Sequence, residues 1–157
     1  MHTIRALEVG DRQRWQPLWD GYLAFYRAEL SEATTRSAFE RLTSGAAGAG
    51  DAGGSGDAGD MFGLLALSES GEGIGLAHCI VHPSTWSRRP SCYLEDLFVS
   101  PVARGSDVGR TLLEEAKRVS VERGAGRLYW HTQQYNGRAR SLYDLVAQPT
   151  SFIVYEM

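Results

Sequence analysis

The amino-acid sequence predicts a single-domain mixed α/β fold built around one central sheet. Three observations carry that expectation. The 157 residues fit one domain with a single well-buried core. The apolar pattern switches repeatedly between the period of a strand and that of a helix. Turn-forming clusters punctuate the segments, giving the order strand, helices, three strands, helix, strand, helix, strand.

Thr3 to Val9 carries Ile4, Ala6, Leu7 and Val9, a plausible opening strand. Asp11 suits an N-cap, since its carboxylate can accept from first-turn amides. Trp15, Leu18, Trp19, Tyr22, Leu23, Phe25 and Tyr26 then recur at three- and four-residue intervals, as on an amphipathic helix. Pro17 within that run predicts a kink or a late start. A shorter helix is expected from Thr34 to Leu42, with Phe39 and Leu42 on its inner side. Ser44 to Asp60 contains only Gly, Ala, Ser and Asp, has nothing to bury, and reads as a flexible low-complexity loop inside the domain. Phe62 to Leu67 and Ile74 to Val81 flank Ser70-Gly-Glu-Gly73 and read as a hairpin. A connection containing Trp86 leads to a third strand, Ser91 to Val99, closed by Pro101. Val108, Leu112, Leu113, Ala116 and Val119 then mark one helix face ending near Gly124. Arg127 to Thr132 reads as a strand, Gly137 to Ala147 as a helix, and Phe152 to Tyr155 as a last short strand.

Composition narrows the function classes. The net charge is −3, with basic residues spread out except for a bunch from Arg104 to Arg118, which argues against a nucleic-acid partner. Cys79 and Cys92 lie in apolar runs and are expected as buried free thiols of a reducing compartment. His2, His78, His82 and His131 show neither i, i+4 pairing nor cysteine partners, so no metal site is expected. Met1 to Val9 lacks the apolar core of a signal peptide, and no stretch reaches bilayer-spanning length. A cytoplasmic protein with no membrane partner is the expectation.

The informative stretch runs Tyr93-Leu-Glu-Asp-Leu-Phe-Val-Ser-Pro-Val-Ala-Arg-Gly-Ser-Asp-Val-Gly-Arg110. A strand ends, a short loop follows, and Arg104 to Gly109 leads into a helix. A helix N-terminus presents unpaired N–H groups and partial positive charge, which suits a pyrophosphate. Gly105 and Gly109 permit close backbone approach, and Arg104 and Arg110 add formal charge. A tight turn with glycines that ease packing would look the same. Neither the Walker loop nor a G-x-G-x-x-G after the first strand is present.

This stretch resembles the cofactor motif of the GNAT superfamily of N-acetyltransferases, Arg/Gln-x-x-Gly-x-Gly/Ala, here Arg104-Gly-Ser-Asp-Val-Gly109. A second family motif, Asn then Ala then Leu-Tyr on the last helix, reads Asn136-Gly-Arg-Ala139-Arg-Ser-Leu142-Tyr143. The resemblance implies a mostly antiparallel, twisted central sheet with helices on both faces. It also implies one N-acetyltransferase domain over residues 1–157, with 44–60 as an insertion. The implied activity is transfer of acetyl from acetyl-CoA, by direct attack in a ternary complex, to a primary amine of a polyamine, diamine or amino acid. Acetylation of a protein lysine or N-terminus, and non-catalytic acyl-CoA binding, stand as alternatives. A homodimer, common in the family, is also implied.

The family's residue roles carry over by position. Leu97, Phe98 and Val99 are assigned to the pantetheine arm through their main chain, and the amides of Arg104, Gly105, Ser106, Asp107, Val108, Gly109 and Arg110 to the pyrophosphate. Asn136 is assigned to the coenzyme arm. Tyr143 matches the tyrosine that protonates the leaving thiolate, a role a nearby phenol suits chemically. The run Leu94-Glu-Asp-Leu-Phe-Val99 resembles the spermidine/spermine acetyltransferase branch, which points to Glu95 as base or amine anchor. Adjacent strand residues face opposite sides, so at most one of Glu95 and Asp96 is expected in the cleft; a solvated edge or a buried salt bridge is the other reading of each. Trp86, Trp130, Tyr129 and His131 are candidates for the acceptor pocket, since aromatic walls suit an amine's alkyl part and cationic head. Tyr22 and Tyr26 are candidates from the first helix. The sequence departs from the family at Asp107, where a glycine is usual. A carboxylate about 4 Å from a pyrophosphate charge would meet ~4 kcal/mol of repulsion before screening; turned to its own first-turn amides it would instead contribute about 0.3–1 kcal/mol. After Tyr143 the usual Gly-Phe is replaced by a longer turn, Asp144 to Phe152.

Overall fold

A computed structural model describes residues 1–44 and 60–157. The elements are β1 (His2–Ala6), α1 (Arg12–Phe25), α2 (Glu32–Ser44), β2 (Asp60–Ser68), β3 (Gly73–His82), β4 (Ser91–Val99), α3 (Val108–Glu122), β5 (Arg127–Tyr129) and α4 (Gly137–Val146), with single 3-10 turns at Val9–Asp11 and Pro101–Ala103. The five strands form one sheet in the order β1-β2-β3-β4-β5. β1 to β4 pair antiparallel and β5 joins β4 in parallel. This is the mixed, mostly antiparallel sheet that was expected, with helices on both faces. The expected hairpin is β2–β3, closed by a turn in which Gly71 adopts φ +82°.

Alternation along the strands divides the interior in two. One face carries Leu64, Ala66, Ala77, Cys79 and Leu94 and is covered by Val108, Leu112, Leu113 and Ala116 of α3. The other carries Leu65, Leu76 and Phe98 and is covered by Trp15, Leu18 and Trp19 of α1 and by Phe39 and Leu42 of α2. Each fully buried large side chain contributes about 1.5–3 kcal/mol relative to exposure. Cys79 and Cys92 are free and buried as expected. The thiol of Cys79 is pushed well up by its contact with Cys92 and by burial, which leaves it a poor nucleophile.

Several boundaries differ from the sequence expectations. α1 runs through Pro17, which only removes the bond to the Gln13 carbonyl, and α2 is longer at both ends than Thr34–Leu42. β5 stops at Tyr129, so Trp130 to Thr132 lie beyond the ladder. The loop read at Ser44 to Asp60 falls, but for its two end residues, outside the described residues. The last strand does not form: Phe152, Ile153, Val154 and Tyr155 are exposed and outside the sheet. Their β-branched and aromatic character suits a strand, but a strand exists only with a ladder partner, and none of the described strands pairs with them.

Asp11 also corrects its expected role. It precedes α1 but makes no side-chain cap. Its carboxylate is instead buried, accepting from Arg5 Nη1 and Nη2 at 2.6 and 2.7 Å and from the Glu8 amide at 3.0 Å. This fork ties β1 to the start of α1. The bond from Arg5, opposed by burial, holds the Asp11 carboxyl below its usual range. A depressed carboxyl contributes stability above its unfolded pKa and loses it as pH falls through the folded value. Asp11→Ala is expected to cost about 2 kcal/mol of unfolding free energy, because Arg5 is partly solvated and keeps some of its hydration. Urea denaturation at pH 7 and pH 3 checks this: the difference between parent and variant should shrink at the lower pH.

Candidate active site

The site lies where β4 and β5 part. Their parallel pairing covers only Ser91, Cys92 and Tyr93 of β4. From Leu94 onward, β4 therefore has no strand on that side among the described residues, and its outward backbone groups are open to a ligand. At the end of β4 the Arg104 Nε donates to the Val99 carbonyl at 3.1 Å, and the guanidinium sits 5.7 Å from the centre of the Phe98 ring. After the turn at Pro101–Ala103, Gly105 adopts φ +88°, a conformation that L side chains rarely take, and α3 begins at Val108.

That geometry leaves a row of donors. Among the described residues, none of the backbone N–H groups from Gly105 to Arg110 has a protein acceptor; the first to find one is Thr111, bonded to the Asp107 carbonyl. Gly109 allows the close packing that seats this turn: a Cβ there would stand 3.2 Å from Leu142 Cδ2 of α4 and 3.6 Å from Val99 Cγ2. The Arg110 guanidinium is held by Glu114 at 2.9 Å, so its side chain is paired on the surface of α3. The Ser106 hydroxyl donates back to the Ala103 carbonyl.

Asp107 does not turn to the first-turn amides. It makes no side-chain cap, is largely exposed, and its Oδ1 lies 3.6 Å from Nδ1 of His2 on β1. Of the two sequence readings the self-capping one is therefore overturned, because the carboxylate has swung toward β1. Its charge still stands beside the donor row. Asp107→Gly is expected to tighten coenzyme A binding about 3- to 10-fold at low ionic strength, with the gain shrinking as salt is added. Calorimetry at two salt concentrations measures it, and equal or weaker binding would remove the repulsion argument.

The second half of the site is a small cleft. Leu94, Glu95 and Leu97 of β4 form one wall, Tyr22 and Tyr26 of α1 another, and Trp130, His131 and Thr132 after β5 a third, with Tyr143 of α4 closing it. Trp130 and Tyr143 meet edge to face, 5.3 Å apart. Burial pushes the Tyr143 phenol up to about 12, so it keeps its proton at neutral pH. Partial desolvation and then the neighbouring Asp96 carboxylate raise the Glu95 carboxyl from its ordinary value, although the residue itself is exposed.

Glu95 owes its position to a β-bulge that the sequence reading did not foresee. His78 pairs with Asp96 and Cys79 with Leu94, so Glu95 is the extra residue on β4. The side-chain parity changes there. Leu94 packs on the α3 face, and so do Leu97 and Val99, three and five residues on, whereas Asp96 and Phe98 face α1. Strict alternation could not have placed both. The apolar pattern did hold a signal: Cys92 and Leu94 are even-numbered core positions, while Leu97 and Val99 are odd.

Other expected residues are placed differently. Trp86 is 89% exposed in the β3–β4 connection and does not line the cleft, because the connection turns outward there. Tyr129 stacks on Tyr93 and bonds His82 on the sheet edge rather than facing the cleft. Asn136 is the N-cap of α4, its side-chain oxygen accepting from the Ala139 amide at 3.4 Å, which leaves its amide nitrogen as a donor. Sequence reasoning named His78 only among the histidines without metal-ligand spacing and gave it no place in the site. It is buried, receives a bond from Trp15 Nε1 at 2.9 Å, and meets Asp96 Oδ2 at 2.9 Å through Nδ1. A histidine inside the apolar run Ile74 to Val81 was the available signal.

A strand that leaves its neighbour, a turn of free amides at a helix start, and a phenol beside that gap meet the requirements for a coenzyme with a pyrophosphate and an extended arm. The model of the acetyltransferase (GNAT) family matches residues 15–145. The chain belongs to that family. It is similar to the D-amino-acid N-acetyltransferase HPA3 of Saccharomyces cerevisiae, with 30% identity over 155 residues covering 98% of this chain and 89% of the relative. It is 31% identical over 157 residues to the uncharacterized N-acetyltransferase YhfO of Bacillus subtilis, covering 98% and 95%. Among solved structures, the aminoglycoside acetyltransferase AAC(6')-Iy bound to a bisubstrate analog superimposes with a TM-score of 0.80 at 16% identity, covering 100% of this chain and 97% of that one. That last likeness concerns the fold. This GNAT protein is thus an acetyl-CoA-dependent acetyltransferase. Among the described residues no group of three or more His, Cys, Asp or Glu side chains is placed to share a metal ion, and no helix is long and apolar enough to cross a membrane.

Proposed function

We propose that this enzyme acetylates the primary amine of a small molecule, an amino acid or a short diamine, with Glu95 as the base and Tyr143 as the acid. One observation carries the reading: Glu95 and Tyr143 line the same aromatic cleft, next to the free edge of β4. The coenzyme brings an acetyl group activated as a thioester. The amides from Gly105 to Arg110 and the Arg104 guanidinium would hold its pyrophosphate, and the main chain of Leu97 to Val99 its arm. Asn136 would donate to the arm through its side-chain amide. Tyr22, Tyr26 and Trp130 take the alkyl part and cationic head of the acceptor. Glu95, whose proton affinity is raised, removes the ammonium proton directly or through one water, and Tyr143 holds a proton for the departing sulfur.

Two likenesses support an amine of this kind. One relative that matches over 98% of this chain is named for D-amino acids. A bovine thialysine N-epsilon-acetyltransferase is 35% identical over 60 residues, covering 38% of this chain. The Leu94-to-Val99 run resembles the spermidine/spermine branch in sequence, so polyamines belong in the same panel. Incubation with acetyl-CoA and a panel of D- and L-amino acids, thialysine, diamines and polyamines, read by free thiol, tests the reading. Thiol release with at least one amine, and acetylated product by mass spectrometry, is expected. Tight coenzyme binding without transfer to any member would contradict it.

A further inference from the structure

The buried chain formed by Trp15, His78 and Asp96 has no part in the roles given so far, and its hydrogen bonds settle the tautomer of His78. An indole N–H can only donate, so His78 Nε2, 2.9 Å from Trp15 Nε1, must be the acceptor and carries no hydrogen. The ring's single hydrogen is therefore on Nδ1, where it is donated to Asp96 Oδ2 at 2.9 Å. Charging His78 would put a second hydrogen against the indole N–H inside a core where Trp15 is fully buried, leaving that donor orphaned. The tautomer of His78 thus places a hydrogen-bond donor, and no cation, on Asp96.

Asp96 is the residue after the bulged Glu95 and pairs across the ladder with His78. Its charge lies beneath the cleft wall while Glu95 lies in it. We propose that Trp15 and His78 are positioning residues that hold the Asp96 carboxylate behind the bulge, and that this carboxylate tunes Glu95 for the acetyl-transfer reaction. This rests on the reading of Glu95 as base. In the step concerned, the N–H bond of the acceptor ammonium breaks, an O–H bond forms on Glu95, and the nitrogen keeps the electron pair with which it attacks.

The surroundings of Glu95 agree. Asp96 on its own strand raises its carboxyl, second only to burial. Arg41 on α2 opposes that, and His78 on β3 would do so only if it were charged, which its tautomer denies. The groups facing the cleft from α1, α4 and the segment after β5 are the phenols of Tyr22, Tyr26 and Tyr143 and the imidazole of His131. Tyr93 stands next along β4. The phenol of Tyr22, raised by burial and then by Asp96, stays protonated and brings no second charge. Asp96 is therefore the only carboxylate among these neighbours.

The experiment is the pH dependence of kcat/KM for the best amine of the panel, together with NMR of the parent enzyme. Asp96→Asn is expected to move the acidic limb down by about one unit. His78→Gln, which can still donate to Asp96 and accept from Trp15, should leave the limb within about 0.3 units of the parent. A limb that stays in place in Asp96→Asn would overturn the proposal. In the parent, the His78 ring should be the Nδ1–H tautomer at pH 7, and the Glu95 side-chain carbon should titrate above the ordinary carboxylate range; an Nε2–H or charged ring, or an ordinary midpoint, would overturn it without any variant having to fold. Glu95→Gln separates the two claims. If it keeps the parental limb, the base assignment has failed. If it loses the limb while Asp96→Asn leaves it unmoved, only the relay has.

Discussion

Tyr143→Phe is expected to lower acetyl transfer about 10²-fold or more while changing coenzyme A affinity less than about 3-fold. The phenol lies in the cleft with no protein partner for its hydroxyl among the described residues, edge-on to Trp130, and burial holds its proton up to about 12. Removing the oxygen leaves the ring, its packing and the start of α4 intact. In the proposed role, what is lost is the proton donor for the departing thiolate. A structural role would show itself differently, as a lower melting temperature with transfer little changed. Steady-state kinetics with calorimetric coenzyme binding separates the two outcomes. A variant that turns over within about 3-fold of the parent would remove Tyr143 from the chemistry.

Glu95→Gln is expected to reduce kcat/KM about 10²- to 10³-fold near neutral pH. The substitution conserves shape and the bulge, because the bulge is set by the ladder registers on either side of Glu95. The pH dependence carries the sign. The Glu95 carboxyl is raised, so the parent enzyme should lose activity as pH falls through that raised value, when the base becomes protonated. The glutamine variant has no group to protonate there, and its residual activity should be flat across the same interval. A profile with the parental acidic limb would place the base elsewhere, in a water chain or on the substrate.

The parts of the fold visible in the sequence were those in which local pattern and tertiary partner agree. The apolar stripe Val108, Leu112, Leu113, Ala116 gives α3 its helix and is the stripe that covers the sheet. The glycine turn at Ser70 to Gly73 closes the β2–β3 hairpin as its composition required. Gly105 and Gly109 lie where a donor row needs them, one by a positive φ and one by close packing. The parts not visible depend on partners far along the chain. Phe152 to Tyr155 has the composition of a strand and no ladder to join. Asp11 has the position of a cap, but Arg5 takes its carboxylate, two short charged bonds outweighing one to an amide. The bulge at Glu95 comes from pairing between β3 and β4, and within β4 only the parity change from Cys92 and Leu94 to Leu97 and Val99 records it. His78 illustrates the same point, since its meaning comes from Trp15, 63 residues away, and from Asp96 on the next strand.

A crystal structure of the enzyme with coenzyme A tests the central claim most directly. The account predicts pyrophosphate oxygens within hydrogen-bond distance, about 2.7–3.2 Å, of at least two amides between Gly105 and Arg110. It also predicts a sulfur opening into the cleft that holds Tyr143 and Glu95. A coenzyme bound away from the start of α3, or a thiol ending outside that cleft, would contradict it.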